Sequence, residues 1–243
     1  MFNDVAKRLA RALGLEVRRF HPASSPAAQL RAMLAAHHVN LVFDVGANTG
    51  QFGRELRWHV GYRGRIVSFE AMSTPHDVLS RRAAGDELWE VAPRAALGEK
   101  SGIIKINVAR NSVSSSILPM LEVHANAAPD SLYCGTETVR MATLDSLALG
   151  YFREDSRALL KIDTQGYESQ VLMGAPKMLN RVVGVQLELS LIPLYSGQKL
   201  MPEMIKDMQG MGFDLWGIAP TFAEPMTGRM LQVDAIFFRG TPE

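Results

Sequence analysis

The amino-acid sequence predicts an α/β domain built on a doubly wound, mostly parallel sheet. Three observations carry that prediction. A short apolar run, Leu41-Val42-Phe43 with Val45, has the continuous hydrophobicity of a strand buried on both faces. Gly46 and Gly50 follow at once, and a helix-like segment with a polar start occupies residues 51–59. Strand, glycine-rich turn and helix is how an open parallel sheet builds a ligand site at the carboxyl ends of its strands. Strand-like and helix-like segments then alternate through most of the chain, without internal repeat or low-complexity tract.

Taken in order, residues 1–40 read as an N-terminal helical extension and residues 41–243 as the domain proper. Phe2, Val5, Leu9 and Leu13 fall on one helical stripe, with Lys7, Arg8 and Arg11 on the others. Such a stripe either docks on its own domain or lies on an anionic lipid surface; a modest apolar face without tryptophan favours docking. The segment 22–26, bounded by prolines, breaks the chain before a second helix over 27–37. After the first strand and its helix, Arg65-Ile66-Val67-Ser68-Phe69 is the next strand, ending in Glu70. Pro75 suits the first residue of a helix running to Ala83, which Gly85-Asp86 stops.

Residues 88–97 read as the third strand, and 98–102 as a hairpin-like turn into the partly alternating strand 103–108. From 110 to 135 the chain is polar, small and irregular, as a binding loop or surface insertion would be. Strand character resumes over 139–144, and Asp145-Ser146 is placed to cap a short helix. Ala158-Leu159-Leu160-Lys161-Ile162-Asp163 is a buried strand ending in an acid, followed by a turn at Gly166 and a helix carrying Val171 and Leu172. A strand over 181–189 has Glu188 near its end; a helix over 200–211 and strands over 213–218 and 231–238 complete the chain.

A chain of 243 residues buries a full core and is most simply one domain. A hydrophobic content of 47% with 21% charged residues is ordinary for a soluble protein. The net charge of +1 argues against a large nucleic-acid footprint, which needs a strong basic excess. The single cysteine, Cys134, precludes an internal disulfide, is compatible with a reducing compartment and is poor support for a zinc site. No apolar run approaches the roughly 20 residues of a membrane span. Lys7, Arg8 and Arg11 interrupt the N-terminal segment before a signal-like apolar stretch develops. These features predict a cytoplasmic protein.

The spacing Gly46-x-x-x-Gly50 is neither the dinucleotide fingerprint nor a P-loop. Glu70, twenty residues past Gly50 at the tip of the second strand, suits a ribose, because a carboxylate accepts hydrogen bonds from both hydroxyls of a diol. Asp44, Glu70, Asp163 and Glu188 lie at or near the ends of four core strands, and such ends line one crevice in an open sheet.

Several motifs in order carry a family resemblance. They are Val42-Phe43-Asp44-Val45-Gly46-Ala47-Asn48-Thr49-Gly50, Phe69-Glu70, Ser114-Ser115, Thr143-Leu144-Asp145, and Leu160-Lys161-Ile162-Asp163-x-x-Gly166-x-Glu168 with Val171-Leu172-x-Gly174-Ala175. This order resembles the FkbM family of S-adenosylmethionine-dependent methyltransferases from about Leu41 to Glu188. The resemblance implies a Rossmann-like class I methyltransferase sheet whose last strand is antiparallel. It also implies methylation of a hydroxyl on a sugar, glycolipid or polyketide-derived product. By the same resemblance, Asp44, Gly46, Ala47, Asn48 and Gly50 hold the methionine part of the cofactor. Glu70 holds the ribose, Met72, Ala95 and Ala96 lie near the adenine, and Ser115 contacts or covers the cofactor. Asp163 stands where methyl group and acceptor meet. Two positions depart from the family: Gln165 stands where an acid is common, and Leu189 where a histidine often follows Glu188.

Methyl transfer to a hydroxyl needs the acceptor oxygen held in line with the methyl carbon and a base to take its proton. Asp163 is the first candidate base and Glu188 the second, although a buried acid such as Glu188 is as readily a partner for a basic residue. His76 and His124 are lone histidines in loop or helix-start positions, more often incidental than catalytic. A divalent metal shared by Asp163 and Glu188 is an alternative that nothing in the spacing demands, so no metal is expected. Methylation of another small-molecule acceptor at nitrogen or oxygen, and nucleotide binding without methyl transfer, remain alternatives at this stage.

Overall fold

The computed structural model describes residues 4–240; Phe2, at the head of the amphipathic stripe, lies outside the described residues. Helix α1 (Asp4–Ala12) does not dock on the domain as expected. Leu9 is 63% exposed and Leu13 77%, and Leu15, Val17 and Phe20 continue the exposed apolar run. The stripe is too narrow and too interrupted by arginine to cover a core surface, so it stays outside. Helix α2 (Pro26–Ala36) behaves differently. Ser25 caps it, accepting from the Ala28 N–H at 3.4 Å, and Leu30, Met33 and Leu34 are buried in the core. The body of the domain therefore begins at α2 rather than at the first strand.

Seven strands form the main sheet. In chain order they are β1 (Leu41–Val45), β2 (Arg65–Phe69), β3 (Trp89–Val91), β7 (Ala158–Ile162), β8 (Val182–Ser190), β9 (Phe213–Ala223) and β10 (Met230–Arg239). Their spatial order is β3-β2-β1-β7-β8-β10-β9. β1 pairs in parallel with both β2 and β7, so the strand order reverses at its carboxyl end. That reversal opens the crevice in which doubly wound sheets bind ligands. The last strand of the chain, β10, is antiparallel to both of its neighbours and lies between them, not at the edge.

Helices cover both faces. On one side α2 and α3 (Gln51–Glu55), with the wider helical turn Leu56–Val60, pack on Val42, Ile66, Leu159 and Phe238. On the other, α7 (Glu168–Met173), α8 (Pro176–Leu179) and α9 (Met201–Gly210) pack Val171, Met178 and Met208 against Phe43, Leu160 and Phe237. Helix α4 (Ser73–Ala83) begins two residues before Pro75 and buries Leu79.

The sequence departs most from expectation between β3 and β7. The expected strand over 88–97 is two strands, because Pro93 cannot donate to a ladder. β3 ends at Val91, and β4 (Ala96–Leu97) joins a second, three-stranded sheet with β5 (Gly102–Ala109) and β6 (Tyr133–Ala142) in the order β4-β6-β5. β6 starts six residues ahead of the expected strand at 139. The segment between β5 and β6 is an ordered insertion carrying α5 (Glu122–Ala127), and its residues pack with Leu194, Tyr195 and Leu231. Thr143, not Asp145, caps the short helix α6 (Leu144–Leu147), accepting from Ser146 N–H at 3.2 Å. Asp145 instead accepts from the N–H groups of Lys177 and Met178 at 3.0 and 2.8 Å, capping α8.

Candidate active site

The turn after β1 is shaped by its neighbours before any ligand is considered. Gly46 has φ +77°, and a Cβ there would lie 1.8 Å from the carbonyl oxygen of Asp163. Gly50 has φ +88° and would press a Cβ onto Leu79 and Trp89 at 3.0–3.1 Å. Both glycines are demanded by left-handed backbone and by chain–chain approach. Gly50 lies behind the cavity wall. Asp44 does as well: it is fully buried, accepts from Ser68 Oγ at 3.4 Å and stands 3.5 Å from Lys161 Nζ. Burial pushes its carboxyl up, and the Lys161 charge opposes that shift. Asp44 therefore fixes Lys161 and does not join the crevice expected for the four strand-end acids.

At the reversal point lies a cavity of about 400 Å³, within the range of small-molecule sites. Gly46, Ala47, Asn48, Glu70, Met72, Ala95, Ala96, Ser115, Asp163 and Glu188 all line it. On one side the wall is mainly backbone and small side chains. Glu70 Oε2 accepts from the Asn48 N–H at 2.7 Å and Oε1 from the Met72 N–H at 2.8 Å. Each oxygen keeps a lone pair for a further hydroxyl. Burial pushes the Glu70 carboxyl up, and these backbone donors pull it back. Asn48 sits at φ +46°, a conformation asparagine tolerates, with its Oδ1 accepting from the Thr49 N–H at 2.8 Å. Its Nδ2 donates to Ser112 Oγ at 3.2 Å, joining the turn to the inserted segment. Met72, Ala96 and Ile106 form a small apolar cluster beside Glu70. Ser115 Oγ accepts from the Ala109 N–H at 2.9 Å, which fixes the loop and leaves its O–H to donate.

The opposite side is a network of side chains centred on Gln165. Lys161, 6% exposed, places Nζ 3.1 Å from Asp163 Oδ2 and 5.1 Å from the Phe52 ring centroid. Burial disfavours its charge, but Asp163, Asp44 and Asp234 together hold its acidity below that of an ordinary lysine. Gln165, at φ +54°, donates Nε2 to Asp163 Oδ1 at 2.8 Å and to Glu188 Oε2 at 2.6 Å. Its Oε1 accepts from the Tyr195 hydroxyl at 2.7 Å. Gln232 donates to the same Glu188 oxygen at 2.9 Å. Glu168 holds the turn in place, accepting from the N–H groups of Thr164 and Gly166 at 2.9 and 3.1 Å; burial pushes it up to about 7.

Burial, reinforced by Asp163, Asp234 and Glu168, pushes Glu188 well above the carboxylate range, which favours its protonated form. Asp163 keeps lone pairs beside its ion pair and faces the cavity. Gln165 Nε2 already stands between the two acids, so a cation shared by them would have to displace it. His124 is buried on the same wall, edge-on to Tyr195 at 5.1 Å; burial pushes its imidazole down to about 4, which keeps it neutral.

Of the residues that the sequence singled out for cofactor and catalysis, all but Asp44 and Gly50 line this cavity. Sequence reasoning assigned no part to Lys161, Gln165, Gln232 or Ser112, and it set His124 aside. Lys161 carried a readable signal, since a lysine inside a run as apolar as Ala158–Ile162 requires an anionic partner. The others carried none, because they meet the site through contacts between distant segments.

A sheet ordered β3-β2-β1-β7-β8-β10-β9, with a ribose-suited acid beside a backbone-lined cavity, defines a class: the S-adenosylmethionine-dependent class I methyltransferase fold. The sequence profile of the methyltransferase FkbM domain matches residues 44–215, and the chain belongs to that family. Among solved structures, methyltransferase FkbM from Methylobacillus flagellatus KT is 12% identical with a TM-score of 0.50. The match covers 81% of this chain and 43% of that one, so the chain spans less than half the length of this relative. An rRNA methylase from Streptococcus thermophilus is 13% identical over 89% of this chain and 98% of its own, with a TM-score of 0.47. Magnesium protoporphyrin IX methyltransferase from Synechocystis PCC 6803 is 10% identical over 97% and 91%, also at 0.47. No curated protein sequence matches the chain.

Proposed function

We propose that this domain transfers a methyl group from S-adenosylmethionine to a hydroxyl of a sugar, glycolipid or polyketide-derived acceptor. The observation that carries the reading is the position of Asp163, at the joint between the backbone-lined side of the cavity and the Gln165 network. The residues present fit the cofactor. Glu70 has free lone pairs for the ribose hydroxyls, Met72 and Ala96 with Ala95 offer an apolar surface to the base, and Gly46, Ala47 and Asn48 line the remainder. When bound, S-adenosylmethionine supplies an electrophilic methyl carbon on a sulfonium. Asp163 then takes the proton of the acceptor hydroxyl as its oxygen attacks. Glu188, protonated, orients the acceptor by hydrogen bonding, and Gln165 holds both acids in register. The opposite wall offers Ser116, Ser131, Gln232 and neutral His124 with Phe222, a mixture of polar groups and an aromatic face suited to a polyol.

The run of exposed Leu9, Leu13, Leu15, Val17 and Phe20 among Arg8, Arg11, Arg18 and Arg19 supports a second element of this reading. It is the composition of a segment resting on an anionic membrane surface, and it would hold a cytoplasmic enzyme beside a lipid-linked acceptor. No helix among the described residues is long and apolar enough to cross a membrane. Sedimentation with anionic vesicles should drop when residues 1–20 are removed; equal sedimentation of both forms would refute the contact. The methyl-transfer reading is tested by incubating the chain with labelled S-adenosylmethionine and separate pools of sugars, glycolipids and RNA. Label in the sugar or glycolipid pool supports it, and label confined to RNA replaces the acceptor.

A further inference from the structure

The helical segment after the glycine turn has two working sides. Gln51 and Phe52 line the cavity described above, whereas Arg54, Arg57 and Trp58 line a second, open cavity of about 730 Å³ together with Arg63 and Arg82. Its charge is unbalanced: four guanidinium groups face two carboxylates, Asp86 and Glu87. Arg57 is structural. Its Nε pairs with Asp86 at 2.6 Å and its Nη1 donates to the carbonyls of Tyr62 and Gly64 at 3.0 and 2.9 Å, which accounts for one of the two acids. Arg82 spends one nitrogen, Nη1, on the Thr49 carbonyl and hydroxyl at 2.6 and 3.0 Å, leaving the rest of its fork free.

Arg54 and Arg63 make no side-chain hydrogen bond or ion pair among the described residues, and Arg54 Nε is enclosed without a partner. Nε is out of a ligand's reach, but the Nη groups of Arg54 are neither enclosed nor paired and are free to meet an anion. The Arg54 guanidinium lies 4.3 Å from the Trp58 ring centroid, and that indole is 68% exposed. A large aromatic side chain kept in solvent next to free arginines is the arrangement by which proteins stack a planar ring and hold its phosphate.

We propose that this second cavity binds a mononucleotide, with its phosphate on Arg54, Arg63 and Arg82 and its base against Trp58. The arginine fork matches phosphate geometry bidentately, and the cavity has the size of a small-molecule site. The proposal is independent of the acceptor reading, since no residue is shared with the first cavity.

The test is calorimetry on the full chain with the first cavity saturated by S-adenosylhomocysteine, titrating adenosine monophosphate and, separately, inorganic phosphate. Adenosine monophosphate should bind, and Arg54→Ala and Arg63→Ala should each weaken it about tenfold or more. Trp58→Ala should weaken adenosine monophosphate about tenfold more than it weakens inorganic phosphate, because both lose the ring that carries Arg54 but the base alone loses its stacking. Both Arg63 and Trp58 are exposed, so these variants keep the fold, and unchanged thermal melting verifies it. Absence of binding, or an affinity indifferent to the arginines, overturns the site. Adenosine monophosphate binding unaffected by Trp58→Ala overturns the stacking of the base. A single-stranded RNA binding about a hundredfold more tightly than the nucleotide replaces the mononucleotide by nucleic acid.

Discussion

The two sides of the candidate active site are made by different physical means. On one side, where we propose the cofactor lies, the wall is the carboxyl ends of β1 and β2, and its polar groups are largely backbone N–H groups gathered by Glu70 at 2.7 and 2.8 Å. On the other side, proposed for the acceptor, residues 114, 124, 165, 188, 195, 222 and 232 come from five separate segments and meet mainly through side chains. The first arrangement follows from local geometry, since a strand, a left-handed turn and a helix fix where the N–H groups point. The second follows from long-range packing, and any one of its segments can change without disturbing the sheet.

The largest expected effect falls at Asp163, the residue where the two sides meet. Asp163→Asn preserves volume and the bond from Gln165 but removes the base. Turnover should fall by about 10² to 10⁴, while the dissociation constant for S-adenosylhomocysteine stays within a few-fold. Single-turnover transfer of label reads the first and calorimetry the second; unchanged turnover removes Asp163 as base. Next in size is Glu70→Ala. It leaves the Asn48 and Met72 N–H groups without their acceptor and strips the ribose of its own. Cofactor affinity should drop by about 10- to 100-fold, and a normal dissociation constant would dismiss the ribose role.

These two residues also show what sequence could and could not reveal. Glu70 was legible because its place, the tip of the second strand in a βαβ unit, is a local fact of the chain. Asp163 was legible for the same reason. Asp44 looked equivalent, yet strand-end position does not tell which way an acid turns once a buried lysine needs it; Lys161 takes Asp44 beneath the wall. Ala95 and Ala96 line the cavity although their strand was drawn wrongly, because the break at Pro93 passes the chain to a second sheet without moving it away from the cavity. Gln165 was noticed only as a departure from the family. Its work, a neutral bridge between two acids, depends on Tyr195 and Glu188, which lie 30 and 23 residues away. No pattern within a segment encodes such a contact.

Gln165→Glu turns that bridge into a third carboxylate. Burial and neighbouring acids already push Glu188 up, so the added charge should push the cluster up further. The sign follows from linkage: a carboxyl raised in the folded state holds its proton there, and stability is lost as pH rises through the folded value. The variant should therefore match the parent near pH 5 and melt lower at pH 8. A loss on the order of 2 kcal/mol corresponds to about 4–8 °C for a chain of this size. Cofactor affinity should hardly change, because the bridge lies on the other side. Equal melting at both pH values would show that the three groups relax apart.

The smallest expected effect tests the seam itself. Asn48 Nδ2 donates to Ser112 Oγ at 3.2 Å, tying the cofactor turn to the insertion that forms the acceptor side. Ser112→Ala removes that partly buried neutral bond, worth about 0.5–1.5 kcal/mol, so affinity for S-adenosylhomocysteine should weaken about two- to tenfold. Ser112 also sits at φ +58°, a conformation that costs any residue with a Cβ. Ser112→Gly loses the same bond but relieves the backbone, so it separates the two contributions. If the bond matters, both variants weaken the cofactor alike while the glycine variant melts at a higher temperature than the alanine one. If the insertion is held over the turn by its own packing, on Tyr195 and Ser131, neither variant changes cofactor affinity and the two sides are mechanically independent.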